Sequence, residues 1–199
     1  MSAGARPIGR PRSAEVDAAI VAATLELLRE EGFQGLSVEA VRVRAGVGKA
    51  TIYRRFPDKT TLVRAAIEAI DAHLELPDTG SVRGDLEAVW RMAYAIAVDA
   101  RAATFVPRLL AESAADPDLH GEFRDAFIEP RRLAIRTILR RGVERGELDD
   151  DLDLELTIDL LAGPVIYRLL IEGGRIEGFE AFTGRLFDAV LGWRLRPAG

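Results

Sequence analysis

The sequence predicts an all-α protein. Apolar residues recur at three- and four-residue spacing through nearly every extended segment. No stretch shows sustained alternation with β-branched enrichment, so no sheet is expected. Glycine or proline marks most of the breaks between the periodic stretches.

Nine helices follow in order. The first covers 14–31, with Val16, Ile20, Ala23, Leu27 and Leu28 on one face and Gly32 as its stop. Ser37 is placed to cap a short second helix that runs to Ala45 and ends at Gly46. A third short helix spans 48–55 and is broken by Phe56-Pro57-Asp58. Asp58 can cap the fourth, which extends to about Leu76. Pro77-Asp78-Thr79-Gly80 is the best domain boundary. Beyond it, helices are expected over 81–102, 105–115, 119–145, 154–172 and 179–194, with Asp116-Pro117 as a turn and Gly173-Gly174 as a stop. Pro164 inside the penultimate helix should kink it or leave a carbonyl free. The domain reading is a basic arm over 1–13, a helix-turn-helix head over 14–60 with a linking helix to about 76, and a body over 77–199.

Composition narrows the function classes. A chain of 199 residues, 48% hydrophobic and 30% charged, can bury a core. It contains no apolar run long enough for a transmembrane helix and no signal-peptide pattern, so a cytoplasmic, membrane-free protein is expected. With no cysteine, disulfides, thiolate metal sites and a cysteine nucleophile are excluded. His73 and His120 have no neighbouring histidine at ligand spacing, so neither metal nor cofactor is expected. Ser13, Ser37, Ser81 and Ser113 sit in no nucleophile elbow, and Asp149-Asp150-Asp151 reads as a solvated loop. An enzyme is not expected.

The net charge of −5 is unevenly spread. Residues 1–60 carry ten Lys or Arg against seven Asp or Glu, and residues 61–199 carry 17 against 25. Such a split arises by chance fairly often, but it also describes a basic head on an acidic body. Lysine occurs only at Lys49 and Lys59.

The informative stretch is Ser37 to Leu62, SVEAVRVRAGVGKATIYRRFPDKTTL. Two short helices are joined by Ala45-Gly46-Val47-Gly48, the tight glycine turn that lets a second helix project into a major groove. Val38, Val41, Ala45, Val47, Ile52 and Phe56 can form the internal core. Lys49, Ala50, Thr51, Tyr53 and Arg54 remain on the outside: small residues for close approach, and donors for phosphates or base edges. Taken singly, Tyr53 fits a packed helix junction equally well, and Arg54 and Arg55 fit a solvated face. Arg6, Arg10 and Arg12, spaced by Pro7, Gly9 and Pro11, form a non-helical basic arm. It is either a minor-groove contact or a tail with incidental charge.

The pattern A-G-V-x-K-x-T-I-Y-R-R-F-x-x-K-x-x-L, after a first helix ending in E-G-F, resembles the signature of TetR-type (TetR/AcrR) transcriptional regulators. The motif covers residues 14–70. Over 80–199 the resemblance is mainly architectural, although Leu161-Ala162-Gly163-Pro164-Val165-Ile166-Tyr167-Arg168 resembles a segment of one C-terminal subclass. The resemblance implies a TetR-like architecture and roles at matching positions. Ser37 would meet a phosphate, Gly48, Lys49, Ala50 and Thr51 would face the groove, Tyr53 and Arg54 would grip phosphate, and Lys59 would take another. Arg42 departs from the pattern, which has a small residue there; it is read as an extra DNA contact or as a sign of looser packing.

The resemblance also implies an effector cavity and a dimer interface in the body. Trp90, Tyr94, Phe105, Phe123 and Phe127 cluster on its consecutive helices and suit either an aromatic-lined cavity or plain core, with Glu112, Arg131 and Tyr167 as polar anchors. Leu161, Val165, Leu169, Phe187 and Leu191 lie on the last two helices, which would pair with their symmetry mates in a four-helix interface. The expected function is a repressor that binds a palindromic operator as a homodimer, its recognition helices roughly 34–36 Å apart, and is released by a small apolar or aromatic effector. The alternative is a ligand-independent architectural DNA-binding protein.

Overall fold

The computed structural model describes residues 11–71, 76–98, 105–172 and 175–192. Ten α-helical segments are present among them: α1 (Pro11–Gly35), α2 (Val38–Ala45), α3 (Lys49–Arg55), α4 (Lys59–Asp71), α5 (Val82–Val98), α6 (Phe105–Ser113), α7 (Pro117–Phe123), α8 (Glu129–Glu144), α9 (Leu154–Leu170) and α10 (Phe179–Leu191). Helical structure is unbroken from 117 to 144 through a π-helical segment, Arg124–Ile128. Segments α7 and α8 therefore make up the one helix expected over 119–145, and the helix count among the described residues is the nine that the sequence implies.

The chain forms two compact units. The first comprises Met1–Ile70 with Arg108–Phe123, and the second Asp71–Pro107 with Arg124–Gly199. The stretch 108–123, assigned to the body on sequence, thus packs with the head. Its Leu109, Leu119 and Phe123 are buried, and Arg108, Glu112 and Glu122 bond to α1 and α4.

In the first unit, α1 buries Ile20, Ala23, Leu27 and Leu28, one face at helical spacing. Pro11 opens this helix, where its missing N–H is no loss. The helix therefore begins inside the stretch expected to be a non-helical arm. Arg12 lies on its first turn, while Arg6 and Arg10 lie outside the described residues. Gly32 breaks the helix with φ +74°. Buried Phe33 and Leu36 follow the break, and α4 adds Leu62, Val63, Ala66 and Ile67.

In the second unit, α5 packs on α8, α8 on α9, α9 on α10 and α10 back on α5, a closed four-helix arrangement. Its core includes Leu86, Val89 and Trp90 from α5, Ile135, Ile138 and Leu139 from α8, Ile158, Leu161 and Val165 from α9, and Phe187 and Leu191 from α10. Gly142 permits the α5–α8 contact, because a Cβ there would overlap Val82 Cγ2. Helix α9 continues through Pro164. Proline has no N–H, so the carbonyl of Leu160, four residues back, loses its helical donor.

Candidate nucleic-acid interface

The stretch from Ser37 to Lys59 forms a helix-turn-helix whose local bonds follow from its residue types. Ser37 has extended backbone, and its Oγ accepts from the Ala40 N–H at 3.1 Å, capping α2. The Ser37 O–H proton remains available to an outside acceptor. Gly46 closes α2 in the left-handed region, φ +66°, and Val47 N–H donates to Arg42 O at 3.2 Å. This is the reversal that glycine makes without strain. Gly48 is different. Its φ is −71°, and a Cβ there would meet only Thr51 Oγ1 at 3.7 Å, so the fold itself does not require glycine.

Val41 and Ile52 are fully buried and lock α2 against α3. Val38, Ala45, Val47 and Phe56, expected in the same core, are half-buried around them. With Ile52 inward, α3 presents Lys49, Ala50, Tyr53 and Arg54 outward, with Thr51 half-buried beside them. Lys49 and Tyr53 are one turn apart, the ammonium 6.0 Å from the ring centroid, and Ala50 and Arg54 form the adjacent row. Tyr53 is 41% exposed and is not consumed by a helix junction. Asp58 caps α4: its Oδ1 accepts from Thr61 N–H at 2.8 Å and from Thr60 Oγ1 at 2.7 Å, and these bonds hold the carboxyl below the usual range. Lys59 begins α4 with its Nζ 3.9 Å from the Phe33 ring centroid.

Several cations of the head are already committed. Arg42 makes a two-pronged pair with Glu39, at 2.9 Å through Nε and 2.6 Å through Nη2, and its Nη1 donates to Val47 O at 3.3 Å. The same contact holds the Glu39 carboxyl below its ordinary range. Arg42 thus braces the turn from within the head, a local role that accounts for its departure from the small residue expected there. Arg44 bonds Glu30 at 3.0 Å and Glu26 at 3.3 Å. Arg55 pairs with Asp17 at 2.5 Å. The cations projecting from α3 are Lys49 and Arg54.

The aromatic residues singled out in the body fall into different surroundings, two of them in plain core. Trp90 is buried and meets Phe187 edge-on at 5.6 Å. Tyr94 stacks on Phe179 at 3.8 Å, and its hydroxyl accepts from Ile176 N–H at 2.8 Å and donates to Ile176 O at 3.1 Å. Both are committed to core packing. Phe123 is buried in the first unit, and Phe127 lies under the Arg131 guanidinium, 3.5 Å from its ring centroid. Tyr167 is 54% exposed, and the Phe105 side chain lies outside the described residues. Glu112 accepts from the backbone of Phe33 and Gln34.

The expected dimer residues shift in the same way. Leu161, Val165, Phe187 and Leu191 belong to the protomer's own core, and Leu169 packs against it. The apolar residues that α9 leaves exposed are Leu156, Leu160, Ile166 and Tyr167, with Ile171 just beyond its end. The helical period shows both faces of α9 to be apolar, but only the fold tells which is inward. Among the described residues no cluster could hold a metal ion, and no helix is long and apolar enough to cross a membrane.

Comparison with known proteins agrees with this geometry. Residues 20–66 match the family described as bacterial regulatory proteins, tetR family, and residues 76–190 match the tetracyclin repressor-like C-terminal domain. The chain is 36% identical over 170 residues to the HTH-type transcriptional regulator YdeS of Bacillus subtilis, covering 85% of each. It is 35% identical over 182 residues to the DNA-binding transcriptional repressor TetR of Mycobacteroides abscessus, covering 90% of this chain and 94% of that one. The solved TetR family transcription regulator SCO0332 superposes with a TM-score of 0.71 at 31% identity, covering 92% of this chain and all of that one. From its helix-turn-helix and from its matches over both units, the chain belongs to the TetR family of DNA-binding transcriptional regulators, which are not enzymes.

Proposed function

We propose that the chain is a repressor that reads a palindromic operator as a homodimer and is released by a small apolar or aromatic effector. The observation that carries the DNA half is the exposed stripe of α3. Lys49, Ala50, Tyr53 and Arg54 project from a helix anchored by Ile52 and introduced by a Gly48 that the backbone does not demand. A bare backbone at Gly48 and a methyl at Ala50 allow close approach to a groove floor. Lys49, Thr51 and Arg54 supply donors to base edges or phosphates. Ser37, with its free hydroxyl proton, and Lys59 flank the stripe as phosphate contacts. Arg10 and Arg12 are proposed as further DNA contacts from the sequence alone.

The dimer half is supported by the unpartnered apolar face of α9. Leu156, Leu160, Ile166 and Tyr167 on one helix are more than a monomer surface ordinarily leaves bare. A second copy is its occupant, because an isologous contact makes a two-fold and the two-fold matches a palindrome. The effector half rests on family resemblance alone; the Mycobacteroides abscessus relative, named a DNA-binding transcriptional repressor, supports the repressor part of the reading. The domains follow as a DNA-reading head, with which 108–123 packs, and an effector-sensing, dimer-forming body made of the remaining chain from about residue 77.

A gel-shift titration on the promoter fragments flanking the gene tests this. The expected result is one preferred palindrome, with affinity falling steeply as salt rises. An effector should lower operator affinity roughly 5- to 150-fold at fixed salt. Uniform binding with no preferred palindrome would instead identify an architectural protein.

A further inference from the structure

Helix α1 ends in a manner that the DNA-reading role does not by itself explain. Gly32 turns the chain with φ +74°, and this exposes the N–H groups of Phe33 and Gln34 at the start of the following turn. The Glu112 carboxylate of α6 takes both, Oε2 accepting from Phe33 N–H at 2.7 Å and from Gln34 N–H at 3.2 Å. Arg108 completes the arrangement. Its Nε bonds Glu112 Oε1 at 2.9 Å, its Nη2 donates to Glu31 O at 2.7 Å, and its guanidinium fills the space a Cβ on Gly32 would occupy. The Glu112 side chain is 18% exposed, and its charge-assisted bond to Phe33 N–H is part-buried, whereas the bonds to Gln34 and Arg108 lie at the surface.

The residue held in this way is Phe33, itself buried, whose ring lies beneath the Lys59 ammonium. Lys59 opens α4 directly after the Asp58 cap, whose carboxylate is taken up by Thr60 and Thr61, and the helix's own first turn has no acidic residue. A cation at a helix N-terminus is opposed by the positive end of the helix dipole. The ring's π face offsets that opposition and fixes where the charge stands.

We infer that Glu112 is a positioning residue for DNA binding: by holding the Phe33 backbone it sets the ring that presents Lys59 to a phosphate. The inference rests on the operator-binding reading. It makes the placement of one DNA-side cation conditional on where α6 stands relative to α1.

The test measures operator affinity against salt for the full-length protein and for K59Q, E112A, E112Q, F33L and the K59Q/E112A double variant, with a thermal midpoint for each. When one phosphate is no longer neutralised, the slope of log affinity against log salt flattens by about 0.9. Binding should weaken roughly tenfold or more. K59Q, E112A and F33L are each expected to flatten the slope alike, and the double variant no further than K59Q alone. E112Q keeps a carbonyl acceptor for Phe33 N–H and is expected to restore most of the slope. F33L keeps the backbone bond and an apolar side chain but removes the ring, so it reads out the effect even where E112A folds poorly. If E112A and F33L lower the thermal midpoint but leave the slope at the wild-type value, the role of Glu112 is structural and the inference fails. If K59Q leaves the slope unchanged, Lys59 meets no phosphate and the inference fails, while a preferred palindrome for the unaltered protein leaves the operator reading standing.

Discussion

At the scale of single residues, the head's chemistry is decided by which charges are spent inside the fold. Arg54 is a candidate DNA contact from its place on the outward face of the third helix, and Arg42 from its departure from the family pattern, read either as an extra contact or as looser packing. The structure separates them, because Glu39 sits three residues before Arg42 on α2 and meets its guanidinium at two of the three nitrogens, Nε and Nη2. The pair is legible at i, i+3 spacing once the helix is drawn, but the bond to Val47 O depends on the turn and is not. Arg54→Ala should therefore flatten the salt dependence of operator binding by about 0.9 for each phosphate that Arg54 neutralises, whereas Arg42→Ala should leave that slope unchanged and lower the thermal midpoint. Titrated-salt gel shifts and thermal melts on the two variants check this. Gly46 supports a second expectation. Its φ of +66° in open space means that Gly46→Ala meets no clash but strains the backbone, destabilising the protein by about 1 kcal/mol in denaturant unfolding.

At the scale of elements, the helix boundaries were largely written in the capping residues. Ser37, Gly46 and Asp58 each act at the end assigned to them, because capping is a contest among near neighbours that sequence displays. Which face of a helix turns inward was not legible where both faces are apolar. On α9, Leu161 and Val165 won the core over Leu160 and Ile166 because α8 and α10 approach from that side. The closeness of α5 to α8 can be tested at one position. Gly142→Ala should force the two helices apart at Val82 and cost about 1–3 kcal/mol, seen as a lower denaturation midpoint. The α8–α9 seam also carries an ion-pair network, with Arg136 Nε on Glu155 at 2.6 Å, and Arg132 on Glu155 at 2.7 Å and on Asp159 at 2.5 Å. Hydrogen bonds from Arg136, then Arg132, bring the Glu155 carboxyl down from 4.5 to about 2. A depressed carboxylate stabilises the fold above its ordinary value and loses that contribution as pH falls toward the folded value. Glu155→Gln should thus melt slightly below wild type at neutral pH, and the gap should close between pH 4.5 and about 2.

At the scale of the whole molecule, an acidic protein carries a helix-turn-helix head in which Lys49 and Arg54 project from one short helix. Internal pairs neutralise other cations of the head, through Glu39, Glu26, Glu30 and Asp17. Presenting two such helices to a palindrome requires assembly, and the exposed face of α9 is where assembly is expected. Leu160 and Leu161 are adjacent in sequence yet differ in kind, one 47% exposed and the other fully buried. If α9 pairs with its symmetry mate, Leu160→Glu should leave the helical circular dichroism spectrum and the thermal midpoint of the protomer near wild type. It should also shift sedimentation from dimer to monomer and abolish preference for the palindrome, because one recognition helix reads only half of it. Leu161→Ala should do the reverse, lowering stability by about 2–5 kcal/mol through the cavity it leaves. Its remaining folded fraction should stay dimeric. Were Leu160→Glu to remain a dimer of undiminished operator preference, the two-fold would have to be built on some other face. The bare leucines of α9 would then be surface without an assembly role.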